Sequence, residues 1–508
     1  MLTQNFIDHR LVYTRLSALS IRFLLGNLDF RGIMLAGNLT LLGLMWLLTR
    51  PLAAAKLSWW YYLPVSLLIF QPIAYEGNFW AIASTNYMPV CFLSLLCLYL
   101  LHKPQPGMVF WALLTAIGAT LTFANGLLLW PIGCVLVFMN NRRQALVWWL
   151  LATIIAIALY FYNFSYSNQP YVLQNLFHRC IAVSTTFFMM VGAYAGWDDK
   201  NHLFAIPDLF QLFVGISSCC WLVYVIGKQA LQTTPSVSKE LTAQEGISID
   251  YLSSFGLFLL ASCALFAIGR SVDGYVVTES RYRHFSVFLL AVCYVYVVIL
   301  AKPEQRSIFY RSSLLIAFLF CMSSYLICTP RLEAMQRKTK AGLYNWQRNK
   351  HWLIYRDGGY YLSVADTISK WVDQHAQNWY RFPTYFAAAP LAKSAPPDNS
   401  IRISNFLSPA AQTIRVHYSI NQPVSGEPYI YLQSDKKIWL LEAYQPTSIR
   451  HLAKHGRYRT PCIKSDFSIQ NYSTQKKIAG NYQLGVLFVS PNKTIHAVHK
   501  PGFTLLIQ

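Results

Sequence analysis

Four short polar clusters interrupt an otherwise apolar stretch of chain and carry the groups able to do chemistry. The first is Asp8-His9-Arg10. The second, Tyr75-Glu76-Gly77-Asn78-Phe79-Trp80, sets a carboxylate and an amide among aromatic rings. The third is Trp197-Asp198-Asp199-Lys200, with His202 close behind. The fourth opens with Gly269-Arg270, passes through Asp273 and ends in Glu279-Ser280-Arg281-Tyr282-Arg283-His284. Carboxylates in such settings can act as a general base or hold a divalent cation through hard oxygen ligands. Arg270 and Arg281 can grip phosphate oxygens with paired N–H donors. Plainer readings stand beside these. Asp198-Asp199-Lys200 suits a solvated turn, and Arg281 and Arg283 ahead of an apolar run suit interfacial anchors. Asn125-Gly126 between two apolar runs suits a turn. Glu76, embedded in aromatics with Asn78 nearby, is the hardest to explain as a bystander.

The elements that must position these groups are apolar runs between residues 32 and 328. Segments such as 32–49, 83–101, 146–162, 209–226, 251–268 and 286–301 are long enough to cross a bilayer as helices. Backbone polar groups must be satisfied internally in lipid, so the series predicts a helical bundle. We expect about ten spans, with 181–194 as a re-entrant or surface-lying helix because it is short and contains Ser184-Thr185-Thr186. The low charged fraction, 12% against 55% hydrophobic, agrees with a multi-pass membrane protein. Residues 1–31 form a juxtamembrane segment in which 11–25 has amphipathic spacing, with Leu11, Leu16, Leu19 and Phe23 near one face.

Lys and Arg favour the cytoplasmic side of short loops. Arg50 and Lys56, Lys103, Arg142-Arg143 and the group Lys302, Arg306, Arg311 therefore predict cytoplasmic loops. All four polar clusters and the segment after residue 328 then face outward. This puts the Arg-bearing segment before the first apolar run outside with no span to carry it there, so a further span upstream is expected.

Residues 329–395 read as a helical connector and Pro-rich linker, and 396–508 as a soluble domain of alternating strands. The expected strands are 401–406, 413–420, 428–433, 438–443, 481–489 and 503–507, the pattern of a small β-sandwich. From Arg331 to Lys500 there are 23 Lys and Arg against 9 Asp and Glu, a net +14 of the chain's +21. Such a surface suits anionic lipid head groups or a phosphorylated or acidic substrate. No nucleic-acid recognition motif is present. Ten of the 11 cysteines precede residue 330, mostly inside apolar runs, and Cys462 is alone beyond it. No CxxC or His/Cys metal spacing occurs. Asn38, Asn163, Asn471 and Asn492 sit in formal Asn-x-Ser/Thr sequons, a number that chance supplies in a chain of 508 residues.

The order of these elements resembles the GT-C superfamily of polyprenol-dependent membrane glycosyltransferases, in the form found in bacterial envelope proteins. The resemblance rests on Asp8-His9-Arg10-Leu11 before an amphipathic helix, Tyr75–Trp80, Phe123-Ala124-Asn125-Gly126-Leu127-Leu128-Leu129-Trp130-Pro131, and Arg270 and Ser280-Arg281-Tyr282 before a late span. It covers about residues 5–330. It implies a sugar transfer from a polyprenyl-phosphate donor at the extracytoplasmic face of the bacterial inner membrane, with the C-terminal domain also outside. Asp8 or Glu76 would be the catalytic base. Arg270, Arg281, Tyr282, His284, Asn78 and Asn125 would contact substrate, and no cofactor beyond a divalent metal is implied. The partners implied are the lipid-linked donor and membrane lipids. In that family an acidic loop follows a first span, and this sequence begins after that span. The alternatives are a flippase or transporter of a lipid-linked saccharide, or an O-antigen-polymerase-like protein. Transporters tend to keep ionisable groups at the midplane of their spans, whereas here they cluster at the ends.

Overall fold

The computed structural model describes residues 10–140, 142–164, 176–196, 206–232, 250–270, 279–349, 396–407, 411–419, 426–445, 460, 462–470, 480–490 and 495–507. The chain divides into two compact units, Met1–Cys328 and Thr329–Gln508.

The first unit is helical. Its elements are α1 (Val12–Leu25), α2 (Phe30–Ala54), α3 (Leu63–Ile69), α4 (Tyr75–Phe79), α5 (Ala81–Leu101), α6 (Pro106–Thr122), α7 (Leu129–Met139), α8 (Arg143–Phe161), α9 (Leu176–Val191), α10 (Ile206–Gln232), α11 (Asp250–Arg270), α12 (Arg283–Leu300) and α13 (Pro303–Asn349). Among the described residues six stretches are long and apolar enough to cross a bilayer: Phe30–Ala54, Ala81–Leu101, Arg143–Phe161, Tyr251–Gly269, Ser280–Leu300 and Pro303–Asn349. Four further apolar helices, Gly107–Thr122, Ala124–Met139, Arg179–Val191 and Asp208–Tyr224, are shorter. The long and the shorter apolar helices together number ten among the described residues. A 3-10 turn, Ala124–Leu128, separates α6 from α7.

α5 and α12 form the centre, and most of their side chains are buried. α2 lies so close to α5 that a Cβ on Gly37 would stand 2.3 Å from the Ser84 carbonyl oxygen, which is why only glycine fits there. On the outer side of the bundle, Trp149 Nε1 donates to Trp130 O at 2.9 Å and Trp130 Nε1 to Thr120 Oγ1 at 2.9 Å. These bonds satisfy two buried indoles that would otherwise each cost about 1–3 kcal/mol. α1 turns Leu16, Leu19 and Phe23 outward and joins the bundle by polar contacts, Tyr13 Oη to Ala36 O and Thr14 Oγ1 to Asn86 Oδ1.

Hydrogen bonds fix which helix ends lie together. Asn38 of α2 donates to Asn78 O, Thr14 reaches Thr85 and Asn86 at the start of α5, and Arg10 reaches the end of α8. At the opposite end, Tyr251 donates to Leu47 O, Arg142 to Lys103 O, and Tyr294 to Tyr61 O. The basic residues Arg50, Lys103 and Arg142 thus gather at the end remote from α4.

The second unit contains the last turns of α13 and seven strands: β1 (Ile401–Leu407), β2 (Ala411–Ser419), β3 (Glu427–Gln433), β4 (Ile438–Glu442), β5 (Cys462–Gln470), β6 (Gly480–Val489) and β7 (Ile495–Ile507). They form an antiparallel sheet of order β1-β2-β5 and another of order β4-β3-β6-β7. One core takes Ile401, Ile414, Val416 and Ile463 from the first sheet and Ile430, Leu432, Trp439 and Val486 from the second. The outer face of the larger sheet, with Tyr429, Tyr431, Leu440 and Leu487, packs under Ala341 and Tyr344 of α13. Asn345 accepts from Leu440 N–H at 2.8 Å and donates to Leu440 O at 2.7 Å, and Asn349 donates to Ile438 O at 2.7 Å. Four residues along a helix rise about 6 Å and two along a strand about 6.8 Å, so the two amides keep step with the edge of β4 that β3 leaves free. The connector at 350–395 lies outside the described residues.

Two carboxylates in this unit carry a pH dependence. Burial opposes ionisation of Glu427, but Lys340 Nζ at 2.6 and 2.7 Å and Tyr429 Oη at 2.8 Å outweigh it and hold Glu427 below the usual carboxylate range. Asp398 is likewise held low, since burial is outweighed by Ser400 and Tyr418. A depressed carboxylate stabilises the fold fully above its unfolded value, about 4, and loses that contribution as pH falls through the folded value. Hydrogen exchange of β3 in the whole chain is therefore expected to quicken below pH of about 4. Glu427→Gln, removing a pair worth about 1 kcal/mol after solvent screening, should flatten part of that response.

Candidate functional site

The site is built on α4, a single helical turn held between α2, α5 and the segment entering α12. Gln71 starts it: its Oε1 accepts from Ile73 N–H at 2.5 Å and its Nε2 donates to Leu68 O at 3.2 Å, turning the chain at the end of α3. Asn38 then bridges Met34 O at 2.9 Å and Asn78 O at 2.8 Å, fastening α4 to α2. Gly77 lies flat against the segment before α12. A Cβ there would meet His284 Nδ1 at 3.4 Å and Arg281 O at 3.5 Å.

This places Glu76 and Asn78 next to the Arg281–His284 segment. Glu76 is half-buried, and its Oε2 is sequestered from solvent without a hydrogen-bond partner. His284 is 3% exposed, and neither ring nitrogen has a hydrogen-bond partner. Its ring lies 5.2 Å from that of Tyr87, 4.5 Å from Phe285 and 5.6 Å from Phe288. A cavity of about 10 Å3 beside it is lined by Gln71, Asn78, Met88, His284, Val287 and Phe288. That is room for about one water, and Gln71, Asn78 and His284 supply the polar groups of a lining that is otherwise apolar.

Arg281 pairs with Glu279 and lies over two rings, with its guanidinium carbon 5.7 Å from the Trp80 centroid and 5.3 Å from that of Tyr282. Two neighbouring rings and, among the described residues, one carboxylate partner leave a planar cation with further N–H donors to offer an anion. Tyr282 is buried, 4.8 Å from Phe266 and 5.7 Å from Tyr87. Arg283 is buried as well.

Asn125 sits one aromatic layer away, connected through Phe123, whose ring is 4.9 Å from Tyr87. It is fully buried, with Nδ2 donating to Ser262 Oγ at 3.2 Å and Oδ1 without a partner. Gly126 beside it touches α6 backbone, where a Cβ would stand 2.4 Å from Ala119. Asn125-Gly126 is thus a packed corner rather than a solvent-facing turn.

α4, which carries Glu76 and Asn78, and the Arg281–His284 segment therefore lie side by side, with Tyr87 against Tyr282 and His284 and Asn125 behind it. Arg270 ends α11, and nothing beyond its backbone is described. Asp8, like Asp198, Asp199, His202 and Asp273, lies outside the described residues. Arg10 is put to a different use: it is buried, donates to Tyr160 O and Tyr162 O, and lies 5.9 Å from the rings of Tyr160 and Phe164. It thereby caps carbonyls that the end of α8 leaves without intrahelical donors. Gln71, Asn38, Tyr87 and Ser262 are parts of the arrangement that sequence reading passed over.

Among the described residues no three His, Cys, Asp or Glu side chains come together in a metal-holding group. A hard cation takes six or more oxygen ligands, and Glu76 with Asn78 does not by itself furnish that set. Comparison with protein-family models, with characterised proteins and with solved structures finds no match.

Proposed function

We propose that this chain is a multi-pass membrane protein of glycosyltransferase type, transferring a sugar from a polyprenyl-phosphate donor to an envelope acceptor. The observation that carries the reading is a carboxylate, Glu76, with an unpartnered buried oxygen, next in sequence to Gly77, which packs against an unpartnered imidazole, His284, in the segment that also carries the ring-flanked cation Arg281. Unpartnered buried polar groups are costly and ionisable ones in a membrane bundle are rare, so their coincidence favours a ligand site. In the proposed step Glu76 takes the proton of an acceptor hydroxyl as its oxygen bonds the anomeric carbon. The bond from that carbon to phosphate oxygen breaks, and the departing polyprenyl phosphate keeps the electron pair. Arg281, with Arg270, meets the charge that develops there. Asn78, Tyr282 and His284 wall the sugar side, and Asn125 supports the layer behind.

Sugar transfer from a radiolabelled polyprenyl-phosphate sugar by the purified chain tests this reading. Donor binding without transfer would overturn it in favour of a carrier of lipid-linked saccharide. The proposed membrane is the bacterial inner membrane, with Glu76, Arg270 and the C-terminal domain on its outer side, as the basic loops suggest. Reporter fusions at Ala145, Glu304 and Gln508 are expected to read inside, inside and outside. A cytoplasmic reading at Gln508 would defeat the topology and the donor assignment together.

A further inference from the structure

At the end of the bundle remote from α4, two cations meet on one hydroxyl. Arg50 closes the polar end of α2 and Lys103 follows α5; both act on the Tyr99 hydroxyl, and Lys103 Nζ lies 4.8 Å from the Tyr99 ring centroid. The Arg50 guanidinium carbon is 4.9 Å from the Trp46 ring, and Trp46 lies 6.4 Å from Tyr99. Arg50 Nε is buried and donates to nothing. No ion pair involves Arg50 or Lys103 among the described residues. The backbone of Lys103 is fixed, since Arg142 donates to Lys103 O at 2.7 Å and to Leu101 O at 3.3 Å.

Burying part of a guanidinium donor and gathering like charges is unfavourable unless an anion joins them. The surroundings identify which anion. Trp46 is 50% exposed on the apolar flank of α2, and Trp59 and Trp60, stacked at 3.9 Å, are exposed just past its end. Tryptophans so placed mark the level of lipid head groups, with apolar helix surface running away on one side for acyl chains.

We propose that Arg50, Lys103 and Tyr99, walled by Trp46, bind the phosphate of an anionic phospholipid whose acyl chains lie along α2. The phosphate oxygens accept from Arg50 Nε and from the Lys103 ammonium, and the Tyr99 hydroxyl donates to the same group. This site is independent of the chemistry assigned at Glu76.

The whole chain, purified in a neutral detergent and exposed to equal amounts of phosphatidylglycerol and phosphatidylcholine, tests it by native mass spectrometry of retained lipid. Wild type should keep phosphatidylglycerol preferentially. The double variant Arg50→Gln, Lys103→Gln should lower that retention about tenfold or more, as expected for loss of charge-assisted hydrogen bonds. A control, Arg143→Gln with Arg311→Gln, removes the same charge from exposed positions and should lower that retention clearly less than the first double variant does. Equal losses in the two double variants would reduce the effect to diffuse surface attraction and overturn the site. Equal retention of both lipids by wild type would overturn it without any variant, whatever the variants' folding. Inorganic phosphate should not displace the retained lipid. Displacement at millimolar concentration would assign the site to a soluble phosphate instead.

Discussion

Glu76→Gln is expected to lower sugar transfer by about 10²–10⁴-fold, the usual loss when a positioned general base is removed. The substitution is close to isosteric, and α4 is held by Asn38, Gln71 and the contacts of Gly77 rather than by the carboxylate. Donor binding should therefore persist while turnover falls, so that kcat drops and KM for the donor changes little. Arg281→Lys should do the reverse. It keeps the charge but loses the planar fork and its stacking on Trp80 and Tyr282, which weakens donor binding first. Transfer at the wild-type rate in Glu76→Gln would remove Glu76 from the chemistry and move the base to Asp8 or Asp198.

The largest expected effect on stability is at Asn345. Leucine in its place keeps the volume but takes away the acceptor for Leu440 N–H and the donor to Leu440 O, both buried. Each stranded backbone group costs about 1–3 kcal/mol, so Asn345→Leu should destabilise the β unit by roughly 2–5 kcal/mol. That is a large share of the 5–15 kcal/mol typical of a domain. It would also uncover β4, the edge of its sheet, and raise the tendency to pair with other strands. Amide exchange at Leu440 in the whole chain reads the effect directly. An unchanged rate in Asn345→Leu would show that the amide contacts carry no net stability.

Apolar length alone was enough to read α2 and α5, because a run of about 20 such residues has few other uses. The strands were harder. β5, Cys462–Gln470, escaped notice because its inward position Ser465 is polar; in the fold that serine is buried and donates to Glu442 O at 2.6 Å. The alternating pattern predicts the last strand at 503–507 only. The strand, β7, instead begins at Ile495 and absorbs Pro501-Gly502 where its register with β6 shifts between Gln483 and Gly485. At the site, the residue types of Glu76, Asn78, Arg281 and His284 were legible, but their convergence was not, as some 200 residues separate them. Tyr87 lies inside an apolar run and carries no signal of its own in the sequence, yet its ring touches those of Phe123, Tyr282, His284 and Phe285. Asn38 was seen only as a sequon. A polar side chain inside an apolar run was the better signal, and it would have pointed to α4.

The clasp of Arg10 on the end of α8 sets an order of events during synthesis. Its partners are 150 residues apart, so the guanidinium has no carbonyl to hold until α8 has been made. At about 5–20 residues per second that is a delay of roughly 8–30 s. During it, α1 can already bond α2 through Tyr13 and Ala36 and α5 through Thr14 and Asn86, while Leu16, Leu19 and Phe23 face outward. The closure of Arg10 on Tyr160 and Tyr162 therefore comes after these contacts and adds the end of α8 to helices already joined.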